Sequence, residues 1–321
     1  MTDSRRRVLL IGATGYIGRA VAETLTTRGY DVVAIVRESA SAELVDCELL
    51  EATLTDADAT SDALRDLRCD AVVSCIASRS GEPDDARAVD FEANMNVLKT
   101  IRDIGAQHFI LLSAICVQKP RLAFQRAKLD FEAALKNAGV DYTIIRPTAF
   151  FKSLSGQIDR VRAGKPFLIF GNGELTRCKP ISVKDLARFI ADTLEMPDRR
   201  NRILPIGGPG PALTPKAQGE MMFEVAGQSP TFRSVPVAMF LVLAAILRIP
   251  ALFSKRVATK RELLKIGHYY ATESMLHWDS ERQCYDAEST PEFGQETLED
   301  HYRQMLRAST QKDERGAHIL F

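Results

Sequence analysis

An α/β fold with a doubly wound parallel sheet is the fold class that this chain predicts. Two observations carry the prediction. Short apolar runs alternate with stretches of helical period through the first half, and the first of those runs passes through a glycine-rich turn into a helical segment. Strands alternating with helices imply βαβ units and a parallel sheet covered on both faces.

In order, strands are expected at Arg7–Ile11, Asp31–Val36, Cys47–Leu50, Ala71–Ile76, His108–Leu112 and Tyr142–Arg146. Gly15–Arg28 and Asp84–Ile104 have helical period. A further strand is expected at Arg202–Ile206, inside Asn-Arg-Ile-Leu-Pro-Ile-Gly-Gly. After about Phe150 the pattern loosens, and Pro166, Gly171, Gly173, Pro180, Gly207, Gly208, Pro209 and Pro211 mark turns. The expected organisation is a nucleotide-binding core over residues 1–150. A smaller substrate-side lobe with a C-terminal extension would cover 151–321 and return a strand near 202–206 to the core.

The 321 residues suffice for one large domain or two. With 42 Lys plus Arg against 42 Asp plus Glu, the net charge is zero, which argues against a bulk electrostatic grip on nucleic acid. The start, Met-Thr-Asp-Ser-Arg-Arg-Arg, carries no apolar signal core, so a cytoplasmic protein is expected. Six cysteines form no C-x-x-C pair and read as reduced thiols; no metal site is expected.

The glycine turn is Gly12-Ala13-Thr14-Gly15-Tyr16-Ile17-Gly18, spaced G-x-x-G-x-x-G after a strand and before a helix. Gly12 permits the tight turn, Gly15 admits a pyrophosphate to the backbone, and Gly18 lets the helix pack closely; the helix N-terminus then faces the phosphates. This is a Rossmann-type dinucleotide site. At the end of the second strand stands Arg37, where an NAD-binding chain usually has Asp or Glu. A guanidinium suits a 2′-phosphate, and Arg19 can add a second cation, so NADPH is the expected cofactor.

Residues 124–128 read Phe-Gln-Arg-Ala-Lys, where many short-chain dehydrogenases carry Tyr-x-x-x-Lys. Phenylalanine has no proton to give to a carbonyl oxygen. Phe124 and Lys128 share a helix face one turn apart.

The glycine loop, Arg37, Ser113 and Lys128 resemble an atypical short-chain dehydrogenase/reductase over roughly residues 7–210. Longer stretches are similar to the NADPH-dependent divinyl (proto)chlorophyllide 8-vinyl reductases. They are Arg146-Pro147-Thr148-Ala149-Phe150-Phe151-Lys152-Ser153-Leu154, Gly164-Lys165-Pro166, Phe170-Gly171-Asn172-Gly173, Cys178-Lys179-Pro180-Ile181-Ser182 and Tyr270-Ala271-Thr272-Glu273-Ser274-Met275-Leu276. The resemblance implies that a vinyl group on a magnesium chlorin or porphyrin becomes ethyl in (bacterio)chlorophyll biosynthesis, with NADPH as hydride source. A conjugated vinyl group has no carbonyl oxygen to protonate, so the loss of the tyrosine is tolerable.

By the same resemblance, Lys128 and Ser113 are the expected catalytic residues. Lys128 and Pro147 would join the loop residues around the nicotinamide. Phe124, Phe150 and Phe151 would line a flat apolar pocket, and Lys152, Arg177 or Lys179 would meet the pigment's propionate. Related chains often show Gly-Asp-Leu after the third strand, whose Asp addresses the adenine. This chain has Ala52-Thr53-Leu54-Thr55-Asp56, so that contact falls to Thr53 or the backbone. Two competing readings are an isoflavone-reductase-like NADPH reductase and a redox-inactive NADP-sensing or assembly protein.

The segment Val235–Phe253 holds an unbroken apolar core, Val237–Leu247, that is too short to span a bilayer. Three readings stand open: a buried helix, a pocket wall, or a helix on the surface of the photosynthetic membrane. The cations Lys255, Arg256, Lys260 and Arg261 follow it directly.

Overall fold

The computed structural model describes residues 6–37, 44 and 46–307. The strands are β1 (Arg7–Ile11), β2 (Asp31–Val36), β3 (Glu48–Glu51), β4 (Ala71–Ser74), β5 (His108–Leu112), β6 (Asp141–Pro147), β7 (Phe167–Phe170), β8 (Arg202–Ile206) and β9 (Phe232–Val235). Seven form one sheet in the order β3-β2-β1-β4-β5-β6-β8. The pairings from β3 through β6 are all parallel. The expected α/β doubly wound architecture is the one observed.

Central strands are buried along their length because helices cover both faces. Leu9, Val33, Val72, Phe109 and Ile144 join Phe131 and Leu135 of the helix Ala123–Lys136 in one core. The edge strand β3 is largely exposed and carries a glutamate at each end, a composition that discourages pairing with another chain. Strand order reverses between β1 and β4, and ligands of such sheets bind at the carboxyl ends beside that reversal.

The chain divides into two compact units. The first comprises Met1–Ser78, Pro83–Arg146 and Leu186–Leu204. Its last segment belongs there because it is anchored by charge: Arg28 pairs with Asp192 at 2.7 Å, and the Tyr30 hydroxyl donates to Glu195 at 2.9 Å.

The second unit comprises Arg79–Glu82, Pro147–Asp185 and Pro205–Phe321. It is about as long as the first, where a smaller lobe was expected. The excess over a simple lobe is structured: β7 pairs with β9, and β10 (His277–Asp279) pairs with β11 (Cys284–Asp286). Phe151, Ile158, Val161, Phe223 and Tyr302 form its core. The Tyr302 hydroxyl donates to the Leu154 carbonyl at 3.0 Å, and burial pushes that phenol up.

Candidate active site

The glycine loop leaves β1 and enters the helix Tyr16–Thr27. Gly12 sits at φ +83°, and a Cβ there would lie 2.7 Å from the Cys75 carbonyl carbon. Both facts demand glycine. A Cβ on Gly18 would lie 2.0 Å from the Gly12 carbonyl oxygen, so the third glycine permits the close helix packing. Gly15 is exposed at the helix N-cap, and the first turn carries no acidic residue to repel a phosphate. Arg19 is exposed and donates from Nε to the Thr14 carbonyl at 3.1 Å, and Arg37 is exposed at the end of β2. A bare loop, an open helix N-terminus and two exposed guanidinium groups fit a phosphorylated dinucleotide.

Lys128 lies on the helix Ala123–Lys136 and is buried, while Phe124, one turn earlier, is half-buried. Gln125 fixes the start of that helix: its Oε1 accepts from the Arg121 and Leu122 amides at 2.7 and 2.9 Å. The Lys128 ammonium stands 2.8 Å from Asp90 Oδ1 as an ion pair without hydrogen-bond alignment.

Asp90 belongs to a seven-residue π-helical stretch, Arg87–Ala93, between the short helices Pro83–Ala86 and Asn94–Lys99. The widened turn places a carboxylate where a regular helix would shift the side chain round the axis; such bulges are frequent at functional sites. Asn94 supports it, donating to the Asp90 carbonyl at 3.1 Å while accepting from Ser74 Oγ at 2.6 Å.

The segment after β4 joins this pair to the glycine loop. Cys75 backs Gly12, and the Ser78 amide donates to Asp90 Oδ2 at 3.4 Å. Burial pushes the Cys75 thiol up to about 12, opposed by the nearby Lys128 charge, so Cys75 stays a neutral thiol at physiological pH.

Ser113 follows β5 and is buried. Its hydroxyl donates to Glu132 Oε1 at 2.5 Å, and Arg146 clamps the same carboxylate, with Nε at 3.1 Å and a second contact to Oε2. The one Ser113 proton is therefore committed inside the protein. Only its oxygen lone pairs remain for a ligand.

Within the second unit, Pro147 and Thr148 are buried at the end of β6, and the Thr148 amide donates to Ile206 at 2.9 Å. Phe150 and Lys152 are half-buried. Two of the expected substrate contacts have internal partners. Lys179 was a candidate for the substrate carboxylate, but its ammonium is buried 2.5 Å from Glu292 Oε1. That internal pair holds the Glu292 carboxyl below its usual range and occupies the charge. Phe151 was a candidate pocket wall, but its ring is buried in the unit's core, 5.4 Å from the His301 ring. Arg177 is exposed. Among the described residues, no three His, Cys, Asp or Glu side chains gather into a metal-ligating group.

The model of an NAD(P)H-binding family matches residues 12–197. The divinyl chlorophyllide a 8-vinyl-reductase of Cucumis sativus is 45% identical over 98% of this chain and 79% of its own length. The protein of the same name from Arabidopsis thaliana is 43% identical over 96% of this chain and 79% of its own.

The chain belongs to the divinyl chlorophyllide a 8-vinyl-reductase family.

Among solved structures, a nucleoside-diphosphate-sugar epimerase from Staphylococcus aureus aligns with a TM-score of 0.67 and 16% identity. The alignment covers 92% of this chain and 99% of that one, and it establishes the shared fold. The vinyl-reductase family resemblance that Phe124, Phe150–Leu154 and Cys178–Ser182 suggested thus holds along the chain. Sequence reasoning missed Asp90 and Glu132, the partners of Lys128 and Ser113. A signal existed for each, since both carboxylates fall on the apolar faces of helical segments, where an unpaired charge is costly.

Proposed function

We propose that this protein reduces the 8-vinyl group of 3,8-divinyl (proto)chlorophyllide a to ethyl, with NADPH as reductant. One observation carries the reading: the chain is similar over 98% of its length to a protein named for that reaction. The site agrees chemically. It keeps the dinucleotide loop and Lys128, and it holds phenylalanine where a carbonyl reductase needs an acid.

NADPH, when bound, would supply a hydride for one vinyl carbon. The residues Gly12 to Gly18 cradle the pyrophosphate, and Arg37, aided by Arg19, takes the 2′-phosphate. Lys128 would hydrogen-bond the nicotinamide ribose and assist delivery of the proton that the other vinyl carbon requires. Asp90 is a positioning residue that fixes the ammonium through the ion pair. Of the expected pigment and nicotinamide contacts, Phe124 belongs to the first unit, and Phe150, Lys152 and Pro147 belong to the second. Ser113 braces the end of β5 through Glu132 and presents lone pairs to the bound ligands.

The test is an absorption assay with purified protein, NADPH and 3,8-divinyl chlorophyllide a. Loss of the vinyl conjugation shifts the Soret band to the blue. Replacing NADPH by NADH should abolish most of the shift, and Arg37→Asp should weaken NADPH binding by about 10- to 100-fold while sparing NADH. Equal weakening of both nucleotides would remove the assignment of Arg37. Protein that binds NADPH yet leaves the band unmoved with both divinyl pigments would be a redox-inactive nucleotide-binding protein.

A further inference from the structure

The segment Val235–Phe253 is not a core helix. Its helix, Ala238–Ile246, is apolar on every side, yet only Phe240 and Ala244, one turn apart, are buried. Phe240 packs on Phe170 at 4.8 Å between ring centroids, and the Arg261 guanidinium donates to the Ala244 carbonyl at 3.2 Å. That one stripe fastens the helix to its own unit. The remaining faces carry Leu241, Val242 and Ile246, and the turn beyond adds Ile249, Leu252 and Phe253, the last 86% exposed. Eight of the thirteen exposed large hydrophobic side chains of the described residues fall between Met239 and Phe253. A helix that is apolar all round belongs in a non-aqueous setting, and so large a contiguous patch marks an interaction surface.

The charges around the patch say what covers it. From Val225 to Arg261 the chain contains no Asp or Glu and six cations, in a protein whose overall charge is zero. Five of the six, Arg233, Arg248, Lys255, Arg256 and Lys260, are exposed. Glu82 accepts from the Thr259 hydroxyl at 2.8 Å. Apolar side chains at a tip, rimmed by unopposed Lys and Arg, match the boundary of an anionic lipid leaflet: acyl chains below, negative headgroups at the rim. A flat pigment would cover one side of the helix and neutralise one cation; it matches neither the all-round exposure nor the charge. No helix among the described residues is long and apolar enough to cross a membrane, so the tip would dip into one leaflet and return.

We infer that the hairpin formed by Ala238–Ile246, Pro250–Leu252 and the start of Lys255–Thr272 docks this protein onto an anionic lipid membrane. The experiment is co-sedimentation of the full chain with vesicles of phosphatidylcholine alone, and of phosphatidylcholine with one-third phosphatidylglycerol. Two variants accompany it, Ile246→Ser/Phe253→Ser and Lys255→Glu/Arg256→Glu, each checked for intact NADPH binding. The wild type should pellet with the anionic vesicles, poorly with the neutral ones, and less as salt rises. Each variant should lose about tenfold or more of that binding. Equal wild-type binding to both vesicle types would overturn the inference. So would variants that pellet as the wild type does but lose pigment turnover, since the face would then be a pocket wall. A wild-type dimer that the Ile246→Ser/Phe253→Ser change splits, with no vesicle binding, would make it a contact between copies and equally overturn the inference.

Discussion

At the scale of single residues, the ion pair of Lys128 and Asp90 is the arrangement on which the proposed chemistry most depends. Both side chains are almost fully buried, and Asp90 Oδ1 has no other polar partner. Removing one member of a buried pair leaves the other charge desolvated and uncompensated, a cost of about 3–5 kcal/mol. Asp90→Asn keeps the shape and removes the charge. It should lower the unfolding free energy by roughly that amount in a urea titration, and slow pigment reduction by about 10- to 100-fold. Lys128→Met should do the same to turnover. The double variant discriminates between the roles: it should regain most of the lost stability while staying slow. Additive losses of stability in the double variant would show that the two side chains do not act as a pair.

At the scale of elements, adjacent strands can be joined by buried polar groups. The β5–β6 edge is an example. His108 on β5 is buried, with Nε2 2.9 Å from the Thr143 hydroxyl on β6. That hydroxyl donates its own proton to the Arg199 carbonyl at 2.8 Å, so Nε2 carries the imidazole hydrogen. Burial, with Arg200 nearby, lowers the His108 pKa from 6.5 to about 4. In the unfolded chain the ring takes a proton near pH 6.5; in the folded protein it resists until about pH 4. Stability is therefore complete above pH 6.5 and declines as pH falls towards 4, by on the order of 3 kcal/mol from this group. His108→Gln should flatten that part of the curve. The measurement is unfolding free energy against pH for both proteins, taken as a difference so that the carboxylates cancel. Parallel curves would remove His108 as the cause.

At the scale of the whole molecule, what the sequence made legible follows from the range of the interactions involved. β1, β2 and β5 lie where apolar runs place them, because a fully buried parallel strand is written in contiguous residues; β8 also lies at its expected span, with only its last residue buried. The stretch 84–104 reads as one helix but contains the π-helical turn, since hydrophobic period does not register one inserted residue per turn. Lys179 read as available for substrate because its partner, Glu292, lies 113 positions away. Val235–Phe253 left three readings open, a buried helix, a pocket wall or a membrane-surface helix, because composition does not say which faces the rest of the chain covers.

The phosphate-loop residues, both arginines and the lysine, by contrast, share one unit: Gly12–Arg19, Arg37 and Lys128 all belong to the first. A ligand that binds only the folded form of that unit stabilises it by mass action, about 2.7 kcal/mol at a hundredfold excess over Kd. In scanning calorimetry, saturating NADPH should therefore raise the unfolding temperature by about 4–6 °C in a chain of this length. NADH at the same concentration should raise it by little, and gel filtration to remove NADPH should return the original transition. In Arg37→Asp the two nucleotides should become nearly equivalent. A shift of equal size with NADH in the wild type would mean that the loop and helix N-terminus supply the affinity and that Arg37 does not select the 2′-phosphate.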